Sequence, residues 1–131
     1  MAVASVTTLP AHEIARLVAR REVSPVEVVD AHLERIEALN PALNAFVFVD
    51  ADGARAAARA AERAVARGEP LGPLHGVPLS IKSSISVAGM PWETGSPLRR
   101  GVRGQRDATL VRRAREAGAI VLGVTNVAEF L

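Results

Sequence analysis

The sequence predicts an α/β fold in which a helical N-terminal half is followed by short apolar strands. Apolar residues recur at helical spacing through much of residues 11–67. Further along, a helix, a glycine and a buried strand follow one another between residues 107 and 124. The 131 residues are 49% hydrophobic and 23% charged, the composition of a globular protein that can bury a sizeable core.

Two helices are predicted before residue 44. The first spans residues 11–20, where three apolar residues share one face. The second begins at residues 24–27 (Ser-Pro-Val-Glu), which combine an N-cap serine, a first-turn proline and a capping-box glutamate, and it is expected to end at Asn40-Pro41. The apolar face of the first helix consists of Ile14, Leu17 and Val18, and the stripe of the second of Val26, Val29, Leu33 and Ile36.

A third helix is predicted from a cap at Asp52 to about Arg67, with Gly68 ending it. Arginines recur every four residues along this helix. They are expected to form a solvated face rather than a nucleic-acid surface, because aromatic residues for base stacking are nearly absent. These arginines are Arg55, Arg59, Arg63 and Arg67.

Strands are predicted at residues 45–49 and 77–82. In the second strand, Val77, Leu79 and Ile81 share one face, which leaves Ser80 and Lys82 on the other. Residues 83–104 contain many turn-forming residues and no sustained period, so they are interpreted as a long loop, and loops of this length are often functional.

The last third is predicted to form a helix followed by a strand. Asp107 is the expected N-cap of a helix through Ala117, and Gly118 is its expected C-terminal glycine. A strand that is apolar on both faces follows at residues 119–124, and a further helix is expected to start within residues 125–131. The inward-facing residues of the helix are expected to be Leu110, Val111 and Ala114.

Lys82 stands out chemically. The chain contains fifteen arginines and this single lysine. Arginine stays protonated in proteins, whereas a desolvated lysine can lose its proton, so the lone lysine is a candidate for chemistry that needs a titratable amine. The alternative is a chance surface lysine in an arginine-rich chain.

Several classes of function lack support. The chain has no cysteine, and its three histidines lie too far apart in sequence for a local metal motif. No apolar run approaches the roughly 18 to 20 residues that cross a bilayer, and no glycine-rich phosphate loop occurs. Because residues 1–10 carry no basic segment, a secretory signal is not expected, and we expect a cytoplasmic location.

One ordered set of motifs resembles the amidase-signature family. The segment that would hold the family's lysine is Gly72-Pro73-Leu74-His75-Gly76-Val77-Pro78-Leu79-Ser80-Ile81-Lys82. The motifs that follow in the family's order are Gly89-Met90-Pro91, Thr94-Gly95-Ser96-Pro97, Asp107-Ala108-Thr109-Leu110-Val111, Ala117-Gly118-Ala119-Ile120-Val121-Leu122-Gly123, Thr125-Asn126 and Glu129-Phe130.

The resemblance implies hydrolysis of a carboxamide by a serine–serine–lysine triad with Lys82 as its lysine. The family's nucleophilic serine and its bridging serine, held in a cis peptide, lie in a Gly/Ser-rich segment that this sequence does not contain, and Ser83, Ser84 and Ser86 do not match that segment. Residues 1–131 are therefore expected to be the N-terminal part of a single amidase-signature domain, truncated before that segment and inactive alone. The implied fold has N-terminal helices and part of a mixed sheet covered by helices.

The same resemblance implies a small-molecule amide substrate. No cofactor, metal or membrane partner is expected, and a homodimer of the full-length protein is a candidate assembly. Ser96, Thr125 and Asn126 are candidate substrate-binding residues, with a turn or a helix cap as their structural alternative. Met90 and Trp92 are candidates for substrate contact or for covering the core, and His75 is expected to make a structural hydrogen bond.

Two features qualify the assignment of Lys82. An amine acts as a base only when it is neutral, and since free lysine has a pKa of about 10.4, a catalytic lysine needs shielding from water. Leu79, Ile81 and Ile85 are expected to provide it. Ser83 stands where many family members have an acidic residue, which changes the expected hydrogen bonding around Lys82. Val124 stands where a lysine is common, a second departure from the family's pattern.

Two alternatives remain open. One is the amidase subunit of a glutamine-dependent tRNA amidotransferase, for which seven arginines between residues 99 and 115 could contact RNA. The other is a non-enzymatic binding or assembly module that folds alone.

Overall fold

A three-stranded sheet with helices on both faces organises the computed structural model, which describes residues 6–131. Residues 1–5, part of the segment on which the expectation about a secretory signal rests, lie outside the described residues. The helices are α1 (Ala11–Ala19), α2 (Pro25–Leu43), α3 (Ala51–Ala66) and α4 (Thr109–Glu116). The strands are β1 (Phe46–Val49), β2 (Pro78–Lys82) and β3 (Ile120–Thr125).

The sheet is mixed, with strand order β1-β3-β2. β3 is central and runs antiparallel to β1 and parallel to β2. Parallel neighbours need a crossover connection, and here the long loop and α4 provide it. Residues 120–124 are all buried, which confirms the strand predicted from its two apolar faces.

Each face of the sheet carries its own core. On one face α2 and α3 pack against the sheet, with Val29, Leu33 and Ala58 next to Ile120 and Leu122. On the other face α4 and the long loop pack against it. A third cluster joins α1 to the first half of α2, so α2 buries a second face that the predicted stripe did not include. The contributors to the loop-side core are Ile81, Val87, Met90, Val111, Val121 and Val124.

The start of α2 is as predicted, but its end is not. Ser24 Oγ accepts a hydrogen bond from the Glu27 N–H, and the Glu27 carboxylate accepts one from the Ser24 N–H, which is a complete capping box. The helix then continues through Pro41 to Leu43, since a proline in the last turn removes only one exposed backbone hydrogen bond. Asn44 ends the helix in the left-handed conformation, with φ of 49°.

The cap of α3 is Asp50 rather than the predicted Asp52. Its Oδ1 accepts a hydrogen bond from the Gly53 N–H at 3.1 Å. The Asp50 N–H donates to the carbonyl of Leu122, so the chain leaves the sheet at this residue and the helix begins directly after it. Gly68 follows the helix with a φ of 68°, as predicted.

One of the four arginines predicted to line an exposed side of α3, Arg55, is not fully exposed. Arg55 lies partly buried, and its Nε donates to Asp30 Oδ1 at 2.8 Å. Arg59, Arg63 and Arg67 are exposed, as predicted.

Two expectations for α4 are wrong. Asp107 does not cap the helix; its Oδ1 accepts from the Ala88 N–H at 2.8 Å and its Oδ2 pairs with Arg115, so it joins the helix to the long loop. Leu110 is 59% exposed because only Val111 and Ala114 face the core in this eight-residue helix. Gly118 is the C-terminal glycine, as predicted, with a φ of 96°.

The long loop of residues 83–104 folds back on itself. The backbone N–H of Gly89 donates to the carbonyl of Gly104. Nearer the tip of the loop, the backbone N–H of Trp92 donates to the carbonyl of Val102. A 3₁₀ turn, Pro97–Arg99, closes the tip. Residues 126–131 follow β3 as coil and a turn, so the prediction that a helix starts there is wrong.

Within residues 6–131, no helix combines the length and apolarity that crossing a bilayer requires. The same residues contain no cluster of three or more metal-ligating side chains of His, Cys, Asp or Glu.

Candidate active site

The carboxyl ends of β2 and β3 lie side by side. Lys82, the last residue of β2, is paired in register with Thr125, the last residue of β3. The Ser83 N–H donates to the Thr125 carbonyl at 3.0 Å, which extends the pairing one residue beyond β2. Ligand sites of α/β proteins form at this edge of a parallel pair, so the structure brings Lys82 to a position suited to chemistry.

The side chain of Lys82 is exposed and makes no hydrogen bond or ion pair with the other described residues. The expected shielding by its apolar neighbours is absent. Ile81, Leu79 and Ile85 all belong to the core between the sheet and the long loop. Since successive side chains of a strand point to opposite faces, Leu79 and Ile81 cannot cover the lysine.

Two candidate substrate-binding residues lie at this edge. Thr125 is half-buried, and its Oγ1 lies 3.4 Å from the carbonyl oxygen of Ile81. Asn126 is exposed; its Nδ2 donates to the carbonyl of Asn44 and its Oδ1 accepts from the Val127 N–H. The structure therefore places Thr125 beside Lys82 in the sheet. Asn126 follows directly after β3 and ties it to the end of α2.

The third candidate, Ser96, is 3% exposed and fully engaged in hydrogen bonds. Its hydroxyl donates to Glu129 Oε1 at 2.7 Å and accepts from the Leu98 N–H at 3.2 Å. It caps the 3₁₀ turn and fastens the long loop to residues 126–131. The geometry assigns Ser96 a structural contact, while a role towards substrate stays a prediction.

Three other residues singled out in the sequence have structural contacts. His75 Nε2 lies 3.0 Å from the carbonyl oxygen of Ala61, which is the predicted structural hydrogen bond. Met90 is buried in the loop-side core. Trp92 Nε1 donates to the Ser84 carbonyl, and the guanidinium of Arg99 lies 4.5 Å from its ring centre.

Sequence reasoning missed a small cavity between the long loop and the sheet edge. Its volume is ≈ 170 Å³, and its polar lining comes from Ser83, Glu93 and Asn126. In the sequence, only the position of Ser83 directly after the lysine could have indicated that it lines this cavity. Nothing in the sequence indicates Glu93, because it reaches the sheet only through the folding of the long loop. The apolar part of the lining is Val47, Pro91 and Gly95.

A family profile described as Amidase matches residues 27–131, most of the chain. The chain belongs to the amidase family. The ordered motifs around Lys82 are thus confirmed as a family resemblance.

Curated relatives in the amidase family carry two kinds of name. A glutamyl-tRNA(Gln) amidotransferase subunit from Acidothermus cellulolyticus is 51% identical over 90% of this chain and 23% of its own length. An indoleacetamide hydrolase from Bradyrhizobium diazoefficiens is 45% identical over 82% of this chain and 21% of its own length. The chain thus spans about a quarter of the length of the amidase-family proteins that it matches.

Solved amidase structures share the fold. The peptide amidase from Stenotrophomonas maltophilia superposes with a TM-score of 0.89 at 35% identity, covering 97% of this chain and 26% of that one. A bacterial aryl acylamidase of the amidase-signature family gives a TM-score of 0.87 at 34% identity, covering 93% of this chain and 26% of that one. The mixed α/β architecture is therefore that of a portion of an amidase.

Proposed function

We propose that this chain carries the catalytic lysine, Lys82, of an amidase that hydrolyses the C–N bond of a small or medium-sized linear carboxamide. The observation that carries the proposal is the position of the chain's single lysine at the carboxyl end of β2, beside the end of β3. Residues 1–131 would form the N-terminal part of one amidase-signature domain. The two serines would come from a Gly/Ser-rich segment outside this sequence.

The proposed chemistry follows from the nucleophile. A serine hydroxyl attacks a carbonyl carbon poorly until a base removes its proton. In the proposed mechanism that proton passes through the bridging serine to the Lys82 amine, while the serine oxygen bonds to the amide carbon. The proton then moves to the departing nitrogen as the C–N bond breaks, and water hydrolyses the resulting ester. Because Lys82 is exposed among the described residues, the segment bearing the serines would also have to cover it.

The test is Lys82→Ala in a full-length amidase. The host is either a longer protein that contains this chain or a chimaera in which this chain replaces the matching N-terminal region of a full-length relative. We expect kcat/KM for a primary carboxamide to fall by about three orders of magnitude or more. Ser80→Ala is the matched control, since Ser80 is exposed on the same face of β2. Near-normal turnover by the folded Lys82→Ala enzyme would exclude the assignment.

The isolated chain is expected to hydrolyse no amide above background, since both serines of the triad are missing. Hydrolysis by the pure chain that disappears in Lys82→Ala would contradict this expectation.

The proposal extends to a cytoplasmic, homodimeric full-length enzyme. Cell fractionation would test the location, and analytical ultracentrifugation would test the assembly.

A second candidate function is the amidase subunit of a tRNA-dependent amidotransferase. It is favoured by relatives with that name from Acidothermus cellulolyticus and Salinispora arenicola, at 51% and 49% identity. The arginines of residues 99–115 support it weakly, because Arg112 and Arg115 pair with acidic residues of this chain and Arg99 stacks on Trp92. Salt-sensitive tRNA binding with glutamine-dependent ammonia transfer would favour the amidotransferase, and glutamine-independent hydrolysis of simple amides would favour the amidase.

A further inference from the structure

Thr125 and Lys82 lie side by side on one face of the sheet. They are paired in register at the ends of the parallel strands β3 and β2. The residues directly before them, Val124 and Ile81, both belong to the loop-side core. Since successive side chains of a strand point to opposite faces, Thr125 and Lys82 both project from the other face, against which α2 and α3 pack.

Within the three described strands, Thr125 is the nearest residue with a polar side chain on the face of Lys82. Adjacent strands are about 4.8 Å apart, whereas Ser80, the previous residue of β2 on this face, lies about 7 Å back along the strand. On the far side of Thr125 the row continues with Phe46, which packs into the core under α2 and α3. The flexible four-carbon stem of the lysine can therefore bring its amine to the Thr125 hydroxyl.

The Thr125 hydroxyl is directed at β2 and retains unused hydrogen-bonding capacity. Its Oγ1 lies 3.4 Å from the Ile81 carbonyl oxygen, longer than the usual O–H···O distance of about 2.5–3.0 Å. A carbonyl only accepts, so the hydroxyl proton points to Ile81, and no N–H or O–H of the described residues donates to Oγ1. The lone pairs of Oγ1 can thus accept from an amine, whose N–H groups are donors.

The strand holds this hydroxyl in place. The Thr125 carbonyl accepts from the Ser83 N–H at 3.0 Å, and the residue is half-buried at the end of an otherwise buried strand. Branching at Cβ also restricts rotation about χ1 of threonine. The side chain of Lys82, in contrast, is exposed and makes no hydrogen bond with the described residues. A fixed acceptor therefore lies beside an amine that nothing else in residues 6–131 orients.

We propose that Thr125 is a positioning residue for Lys82, and that its Oγ1 accepts a hydrogen bond from the Lys82 amine once the serine-bearing segment covers the lysine. This assignment rests on the proposed function. A neutral amine has two N–H groups and one lone pair, so an N–H held by Thr125 restricts the direction of the lone pair. The lone pair then faces the bridging serine, which gives its proton to the Lys82 nitrogen as it takes the proton of the nucleophile. Thr125 keeps its own proton on the Ile81 carbonyl throughout.

The test compares Thr125→Val with Thr125→Ser in the full-length host used for Lys82→Ala. Valine has the shape of threonine without the hydroxyl, and serine retains the hydroxyl. We expect Thr125→Val to lower kcat about tenfold with little change in KM, because a misdirected amine slows proton transfer without weakening substrate binding. Thr125→Ser should recover most of the turnover. Thr109→Val, the same change at an exposed residue of α4, should leave both constants unaltered, and thermal melts check that each variant is folded.

Combining Thr125→Val with Lys82→Ala separates this proposal from the proposed function. Because Thr125 acts through the lysine, the double variant should be no slower than Lys82→Ala alone. A further tenfold loss in the double variant, an unchanged kcat in Thr125→Val, or no recovery in Thr125→Ser would overturn the positioning role. A rise in KM at constant kcat would also overturn it and would assign Thr125 to substrate binding. All of these outcomes leave the assignment of Lys82 intact, whereas near-normal turnover by Lys82→Ala would refute the proposed function itself.

Discussion

Two glycines with positive φ face different surroundings. Gly118 has a φ of 96°, and a β-carbon built on it would lie 2.7 Å from the Cα of His75. Gly68 has a φ of 68°, and nothing lies within 4 Å of such a carbon. Substitution at Gly68 therefore strains only the local backbone, whereas substitution at Gly118 also forces apart α4 and the segment leading into β2.

Gly118→Ala should accordingly destabilise the chain by about 3 kcal/mol or more, against about 1 kcal/mol for Gly68→Ala. Urea unfolding followed by circular dichroism measures both. Equal losses at the two positions would show that the contact with His75 contributes nothing.

The hydroxyl of Ser96 is the second feature at this scale. Ser96→Ala removes its bond to Glu129 and leaves the Leu98 N–H without its acceptor. We expect a loss of about 1 to 3 kcal/mol of unfolding free energy, because the site is buried. Ser80→Ala, at an exposed serine of β2, is the control. A loss no larger than that of the control would leave Ser96 without a structural role and strengthen its assignment to substrate binding.

At the scale of elements, α2 connects the parts of the molecule. Its first half packs against α1, and its middle packs against α3 and β3. Fraying of its first turn would therefore loosen two cores at once. The capping box at Ser24 and Glu27 holds that turn closed.

Ser24→Ala should cost about 1 kcal/mol and speed hydrogen exchange at the Glu27 amide, since that N–H loses its acceptor. Ser24→Asp retains a capping oxygen and should recover most of the loss. If both variants lose the same stability, the cap is not what stabilises the turn.

Sequence patterns predicted most elements because those patterns are local. The capping box, the period of α2 and the unbroken apolar strand β3 need only neighbouring residues for their effect. The predictions were wrong where residues distant in sequence determine the structure. Asp50 caps α3 because its hydrogen bond to Leu122 ends the strand pairing there. Leu110 is exposed because no described element covers it. At the candidate site, sequence singled out Lys82, Thr125 and Asn126. Glu93 could not be predicted, since the fold of a long loop brings it to the sheet.

At the scale of the whole molecule, apolar surface is widely exposed. The large apolar side chains concerned are Leu39, Leu43, Val47, Leu98, Leu110, Phe130 and Leu131. They come from α2, β1, the loop, α4 and the segment after β3, and the amidase relatives are about four times longer than the matched region. Exposed apolar surface spread over so many elements favours association with other protein surface.

We therefore expect the isolated chain to self-associate and to scatter light before it melts. Size-exclusion chromatography with light scattering and a thermal melt measure this. Leu98→Ser with Leu110→Ser should reduce the association. A monodisperse monomer with a sharp cooperative transition would instead support the alternative of a stand-alone binding or assembly module.

The strand order has a consequence for how the chain acquires its structure. β1 and β2 do not pair with each other, and both pair with β3, the last of the three to be synthesised. A ribosome-bound chain can form its early helices, but within residues 6–131 its first two strands have no partner strand until β3 has emerged. Assembly of the sheet is thus a late event that depends on contacts between distant residues, and such pairing is slow and exposes the nascent chain to aggregation. Slow formation of the sheet during synthesis is therefore the expectation from this strand order.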